Sequence, residues 1–361
     1  MHDLIVVGAG PAGATAAYLA RRAGLTTLLV DGRNLPRKKV CGGLITAHCT
    51  SEIQSIFGKD LPPEVHLDPP ILTERVVPPS GVANGFHNPA NHIRNVDRSR
   101  FDFWLTSMAV EEGADLLVSH RLRSFEENGE AVSVQLEGPY GPITRRGRHV
   151  IGADGVYSAC RRELFGSGKQ RTISVVQEYY RDRSRFEDSF YLLFRGEISP
   201  IYAYVVPKDD CTMIGLGVHR ELGPVADVGL RRFKTWLRQE FGFEARNFVS
   251  REGWSIPFGD VAFGRGRVIL VGDAGGFCEP FTGEGIYFGL ESAKAAVASL
   301  LVTRRDDVEL AHVYEEAAWP LGRTMEEITA YVLSLTDEER ERRIGLKREK
   351  LAGRLEPIAA G

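Results

Sequence analysis

Three aspartates that end apolar runs, each followed by glycines, carry the chemistry that can be read from this chain. Asp273 follows Val268-Ile269-Leu270-Val271, and Pro280 with the Gly283-Glu284-Gly285-Ile286 turn comes a few residues later. A carboxylate at the carboxyl end of a buried strand accepts hydrogen bonds from sugar-like hydroxyls. A glycine-rich helix start offers bare N–H groups and a positive dipole end to an electron-rich ring. The pair suits a flavin, and an ordinary strand-to-helix connection with a capping Asp accounts for it about equally well. At the other end of the chain, Gly8-Ala9-Gly10-Pro11-Ala12-Gly13 follows the β-branched run Asp3–Val7, and Asp31 ends the next apolar run. The acid falls about 20 residues beyond the glycines, where a ribose hydroxyl is held in a dinucleotide fingerprint. In that pattern Gly8 permits the tight turn, Gly10 lets the backbone approach a pyrophosphate and Gly13 lets helix and strand pack closely. NAD and FAD fit it alike. Asp154, in Gly152-Ala153-Asp154-Gly155, is the third such acid.

Other groups stand near these. Gly32-Arg33 and Lys39 belong to a basic segment that runs into Cys41-Gly42-Gly43, whose bare backbone implies close approach to a ligand. Cys41 reads equally as an apolar filler and as a group facing substrate. His48 and Cys49 read as packing at a helix start. Arg98 falls in the first turn of a helix capped by Asp97, where a cation opposes the helix dipole, so a nearby anion such as a pyrophosphate explains it better than helix stability does.

These groups need strands and helices to hold them. The pattern predicts a strand to Val7, an Ala-rich helix to about Arg22 and a strand over 26–30. Pro62–Asn91, rich in Pro and Gly with short extended runs, reads as an excursion out of the first domain rather than regular helix, and a helix follows to about Glu112. Three alternating stretches, 115–125, 131–137 and 143–151, predict an antiparallel meander that leads into Asp154. Strands near 173–181, 189–195, 202–207 and 212–219 and a helix near 229–241 predict a sheet-based second unit. Its aromatics (Tyr179, Tyr180, Phe190, Tyr191, Phe194, Tyr202, Tyr204) line an apolar pocket or, for most of them, fill a core. The helix after the late glycine turn is expected to start between Thr282 and Ile286. The fold class expected is α/β (α+β): a Rossmann-like dinucleotide-binding domain with a parallel sheet and a β-meander, plus a second domain with a largely antiparallel sheet. The expected divisions are 1–75, 94–172 and 258–335 for the first, 76–93 and 173–257 for the second, substrate-binding one, and 336–361 for a charged helical tail with Thr336 and Glu339 as a capping box.

Composition narrows the function. The chain has 361 residues, 43% hydrophobic and 26% charged, with a formal net charge of −3, so no global positive field invites nucleic acid. Five scattered cysteines form neither a metal-ligand spacing nor a disulfide framework and suit a reducing, cytoplasmic compartment. The uncharged run Leu4–Ala20 is broken by Gly8–Pro11 and reads as strand, loop and helix rather than as a signal or a span, which leaves membrane contact peripheral. No metal site is expected.

With its three motifs together the sequence resembles the FAD-dependent oxidoreductases of the para-hydroxybenzoate hydroxylase type. Lys39–Leu44 and Pro280–Tyr287 look most like the geranylgeranyl reductase family, which saturates C=C bonds in prenyl chains. Aromatic hydroxylases of the type carry a His and an Asn where this chain has Gly276 and Tyr287, and halogenases carry loop and strand motifs it lacks. Tyr202–Pro207 is similar to the reductases' YxWxFP, with Tyr204 in place of Trp and Val206 in place of Phe. The C-terminal part is shorter than the family's, so part of its lipid tunnel is expected to be absent. The resemblance implies that Gly8, Gly10, Gly13 and Asp31 hold the ADP half of FAD, with Pro11, Ala12, Gly32 and Arg33 beside them. Arg98 and Asp273 would meet the pyrophosphate or ribityl region and Gly283–Ile286 would face the ring, with Lys39, Cys41, Gly42, Gly43, Asp154 and Pro280 as further cofactor-binding candidates. It implies hydride transfer to an apolar prenyl-type or quinone-like substrate, with Cys41, Tyr202 and Tyr204 as proton-donor candidates. NAD(P)H, another reductant or an electron-donor protein would bind transiently, since no second dinucleotide fold is visible. The alternatives are a monooxygenase on the same scaffold and, from another class, a non-catalytic prenyl carrier.

Overall fold

The computed structural model describes residues 1–168, 170–182, 186, 188–219, 221–303 and 309–358. Among the described residues two eight-stranded sheets carry the chain, with a helical layer against the first. The first sheet grows from the β-branched run His2–Val7, every residue of which from Leu4 onward is buried. It pairs in parallel with Thr27–Val30 on one side and with Gly141–Gly152 on the other. Val268–Leu270 continues the sheet in parallel beyond Gly141–Gly152. The carboxyl ends of three parallel strands therefore deliver Gly8, Ala153–Asp154 and Gly272–Asp273 to one edge, where an open α/β sheet binds its ligands.

Helix Pro11–Arg22 opens with proline in its first turn and buries a run of small residues, Ala12 to Ala17. That run lets helices Arg98–Glu111 and Ile286–Thr303 pack closely on it. Ile286–Thr303 has 18 residues and a mean hydropathy of 1.3, long and apolar enough to cross a bilayer, yet it lies in this core between Pro11–Arg22 and Leu310–Leu333. It is one continuous helix beginning at Ile286, the last position of the expected range.

The second sheet runs in the order Phe248–Pro257, Thr172–Tyr180, Cys211–Val218, Ala203–Lys208, Ser189–Leu193, His66–Val77, Phe86–Val96, Leu44–Ile45. It is antiparallel except where Ser189–Leu193 meets His66–Val77. Helix Ala226–Phe241 packs Leu230, Phe233 and Leu237 into the core on one of its faces.

Several expectations are corrected. The extended runs of Pro62–Asn91 are long rather than short: His66–Val77 and Phe86–Val96 form a hairpin in the second sheet, which the chain enters before residue 76. The prolines that disguised it sit at the two breaks in pairing, Pro69 and Pro70 in one and Pro89 in the other. Asp115–Leu117 is no part of the meander but a separate strand parallel to Thr27–Val30, and the meander begins at Arg121. Phe248–Pro257 and helix Leu310–Leu333, with Pro320 inside it, went unread. The tail forms the helix Asp337–Lys350, with the Thr336 hydroxyl accepting from the Glu339 N–H at 3.2 Å. Glu339's own carboxylate turns to Arg342 and Arg343 instead of closing the box. The tail residues 359–361 lie outside the described residues.

Candidate active site

A cavity of about 830 Å³ opens between the two sheets. Every residue named above as a cofactor or proton-donor candidate lines it except Gly13, which lies beneath the first turn. A Cβ on Gly13 would stand 1.8 Å from the Gly8 carbonyl, and one on Gly8, whose φ is +108°, 2.3 Å from the Ala153 carbonyl. These two glycines let strand, helix and the Asp154 loop close on one another. Gly10 differs: its Cβ would meet nothing nearer than Arg37 Nη2 at 3.7 Å, so its bare backbone faces open space.

Asp31 is buried and accepts from the Ala9 N–H at 3.0 Å, from Arg33 N–H at 2.9 Å and from Arg37 Nε at 3.1 Å. Asp154 serves its own loop: its carboxylate accepts from Ser158 Oγ and from the Ala159 and Cys160 N–H groups, capping helix Ala159–Phe165. Asp273 is unlike both. No hydrogen bond reaches its carboxylate among the described residues; burial pushes its pKa up, and Lys39 and Arg98 pull against that.

Arg98 is buried and grips Asp102 with Nε and Nη2 at 2.8 and 3.1 Å. Its anion is thus a neighbour on its own helix, which corrects the inference that a ligand was needed to explain it. Cys41 lies within reach of the same cation. Burial raises its thiol, but Arg98, Lys39 and the Gly43 N–H outweigh burial and leave its pKa below the ordinary value. Lys39, lowered by burial and by Arg98, sits 4.5 Å from the centre of the Trp254 ring.

The two tyrosines have committed their protons. Tyr202 donates to the Thr282 carbonyl at 2.6 Å and Tyr204 to Gln177 Oε1 at 3.2 Å. Burial pushes both hydroxyls far above the usual tyrosine range. Gln177, fully buried, holds Tyr204 while donating to Tyr179 and Glu252, which in turn pairs with Lys38. Of the aromatics named from the sequence, Phe190, Tyr202 and Tyr204 line the cavity, and Tyr180, Tyr191 and Phe194 fill cores.

Sequence reasoning missed three supports. Glu279 builds the turn before the late glycines by accepting from the Phe281 and Thr282 N–H groups at 2.8 and 2.6 Å. Thr46 and His48, the latter read as packing, both reach Glu284 Oε1, at 2.7 and 2.9 Å, and fix that side chain. Only the neighbouring Cys-Gly-Gly hinted that this loop meets the late turn.

Residues 3–156 match the family model described as FAD dependent oxidoreductase. A geranylgeranyl diphosphate reductase of Rhodobacter capsulatus is 32% identical over 335 residues, covering 86% of this chain and 78% of that one. The chain belongs to the geranylgeranyl reductase family of FAD-dependent oxidoreductases. A menaquinone reductase of Mycobacterium tuberculosis is 29% identical over 324 residues, covering 84% of this chain and 77% of its own. The fold agrees: a geranylgeranyl bacteriochlorophyll reductase-like protein from Thermoplasma acidophilum superposes with a TM-score of 0.80 over 95% of this chain and 90% of that one, at 21% identity. The residues present fit FAD. The strand-end glycines leave room along Gly10, Asp31 is ordered at the end of its strand, and Asp273 brings a half-buried carboxylate with no hydrogen-bond partner among the described residues into the same cavity.

Proposed function

We propose that this enzyme reduces C=C bonds of a prenyl chain or a quinone-like apolar substrate. The observation that carries the reading is the cavity itself, which joins the dinucleotide end at Gly8–Gly10 and Asp31 to a wall of Ile93, Ile173, Val175, Phe190, Leu192 and Ile256 on the second sheet. Names among its relatives, a geranylgeranyl diphosphate reductase and a menaquinone reductase, point the same way. Reduced FAD, when bound, supplies the hydride. The chain's part is to hold the cofactor through Gly8–Gly13, Asp31 and Asp273, to seat the apolar substrate against the second sheet, and to keep water out. It also holds the proton. Tyr202 and Tyr204 spend theirs on Thr282 and Gln177, whereas the Cys41 thiol, with its pKa drawn down by Arg98 and Lys39, is the stronger acid in the cavity. Cys41 is therefore the proton donor in this account, and Arg98 stabilises the thiolate it leaves.

NAD(P)H, another small reductant or an electron-donor protein supplies the electrons by transient binding. The five cysteines are all free, which suits a cytoplasmic enzyme that meets its lipid substrate peripherally at a membrane. Product mass tests the reading, after turnover of a prenyl-quinone extract with a chemical reductant under nitrogen and in air. Gain of two hydrogens without oxygen in both supports it. Oxygen incorporation that vanishes under nitrogen would establish oxygen insertion instead.

A further inference from the structure

The charge on the cavity wall bears on which prenyl compounds fit. The cations on the wall come from the dinucleotide side: Arg37 pairs with Asp31 and Asp102, Arg98 with Asp102 and Arg162 with the Tyr157 carbonyl, while Lys38 reaches across to Glu252 and Lys39 to the Trp254 ring of the second sheet. The second sheet supplies a single charged side chain to the cavity among the described residues, and it is an acid, Glu74. Glu74 is 7% exposed, and Lys347, from the C-terminal helix Asp337–Lys350, reaches both of its carboxylate oxygens at 3.0 Å.

Beside it stands Asn91. The hairpin pairing passes from Thr73↔His92 to Glu74↔Asn88, so residues 89–91 bulge out of register. Such a bulge re-aims a side chain, and Asn91 thereby lines the same cavity as Glu74, its amide unpartnered among the described residues. The far wall thus offers an acceptor-only carboxylate and an amide amid apolar side chains, and among the described residues the second sheet adds no cation of its own to the cavity.

From this juxtaposition we infer that the enzyme takes prenyl compounds with an uncharged, hydroxyl-bearing head group, held by Glu74 and Asn91, and rejects prenyl diphosphates. The inference rests on the reading of the cavity as a prenyl site. A hydroxyl donates to Glu74 and exchanges a hydrogen bond with Asn91. A diphosphate would bring like charge against a buried carboxylate, a repulsion that selects between partners.

The experiment is equilibrium binding of geranylgeraniol and of geranylgeranyl diphosphate to the FAD-loaded protein, by calorimetry and by flavin fluorescence. The alcohol is expected to bind about tenfold more tightly or better. Glu74→Gln removes the repelling charge and should narrow the preference; Lys347→Met removes its neutralising partner and should widen it. A structural role would move both the same way. Should Lys347→Met fail to fold, Asn91→Val takes its place, weakening the alcohol and leaving the diphosphate unchanged. Equal or tighter binding of the diphosphate, no binding of the alcohol, or shifts of Glu74→Gln and Lys347→Met in one direction would overturn the inference. If the alcohol is preferred but no double bond is ever reduced, the reductase reading fails and this inference stands. If the diphosphate is preferred and reduced, the reverse holds.

Discussion

Arg98 and Asp102 face each other one turn apart on the same buried helix, joined at 2.8 and 3.1 Å, and this pair holds a cation against the Cys41 thiol. A charge fixed in that way persists whether or not substrate is present. Arg98→Gln should therefore raise the pKa of Cys41 and slow its alkylation at neutral pH by about tenfold, while Arg98→Lys keeps much of the rate. Cys49, Cys160 and Cys278 are buried and pushed up, so with the half-exposed Cys211 replaced by serine in parent and variants alike the reaction reports Cys41. An unchanged alkylation pH profile in Arg98→Gln would show that the guanidinium does not act on the sulfur.

If Cys41 gives the proton, Cys41→Ala should lower turnover by about two orders of magnitude or more, the usual contribution of a placed acid, with substrate affinity kept. Tyr202→Phe and Tyr204→Phe should stay within a few-fold of the parent. The pH dependence has a definite sign. A thiol acid is competent while protonated, so turnover is flat at low pH and falls as pH rises through a value below the ordinary thiol's 9.0. A limb that instead rises with pH would assign Cys41 another role.

The two kinds of glycine in the fingerprint should separate on mutation. Gly13→Ala places a methyl 1.8 Å from the Gly8 carbonyl and should cost stability by several kcal/mol, seen as a lower melting temperature of protein stripped of flavin. Gly10→Ala meets nothing within 3.7 Å and should leave that melting temperature within a few degrees, while flavin content after purification falls. Equal flavin content in Gly10→Ala and the parent would remove Gly10 from the cofactor's path.

Much of this site was legible because it is backbone chemistry. Gly8–Gly13 and Asp31 answer to local constraints of turn, close packing and strand end, which sequence records directly. The Thr46–Glu284–His48 tie and the Tyr204–Gln177 bond depend on partners far apart in the chain, and no spacing encodes them; the Glu279 turn is local, closed by the Phe281 and Thr282 N–H groups, and went unread all the same. The hairpin His66–Val96 was hidden by prolines that occupy its breaks in pairing, and Phe248–Pro257 by its alternation of exposed and half-buried residues around Gly253. Arg98 shows the converse error: the need for an anion was sound, but Asp102, in plain sight on the same helix, supplied it.

Lys208 offers a test of the second sheet. Burial pushes its ammonium down to about 7, with Asn95 Oδ1 as its partner. The unfolded chain keeps the ordinary lysine value, so it binds the proton that the native state has lost across the interval between the two. Stability should rise with pH from about 7 toward 10.5. The slope should reach at most about 1.4 kcal/mol per pH unit, and it should be absent in Lys208→Met. Urea denaturation at several pH values measures it, and equal slopes in the two proteins would mean that Lys208 keeps its proton in the fold.

The central claim is tested most directly by a single turnover without oxygen. FAD-loaded enzyme, reduced with dithionite and freed of excess reductant, is mixed under nitrogen with a prenyl substrate while the flavin's visible absorbance is followed. The account predicts that oxidised flavin returns at a rate that depends on substrate, with one double bond lost for each flavin reoxidised. Flavin that stays reduced until air is admitted, with oxygen then appearing in the product, would contradict it.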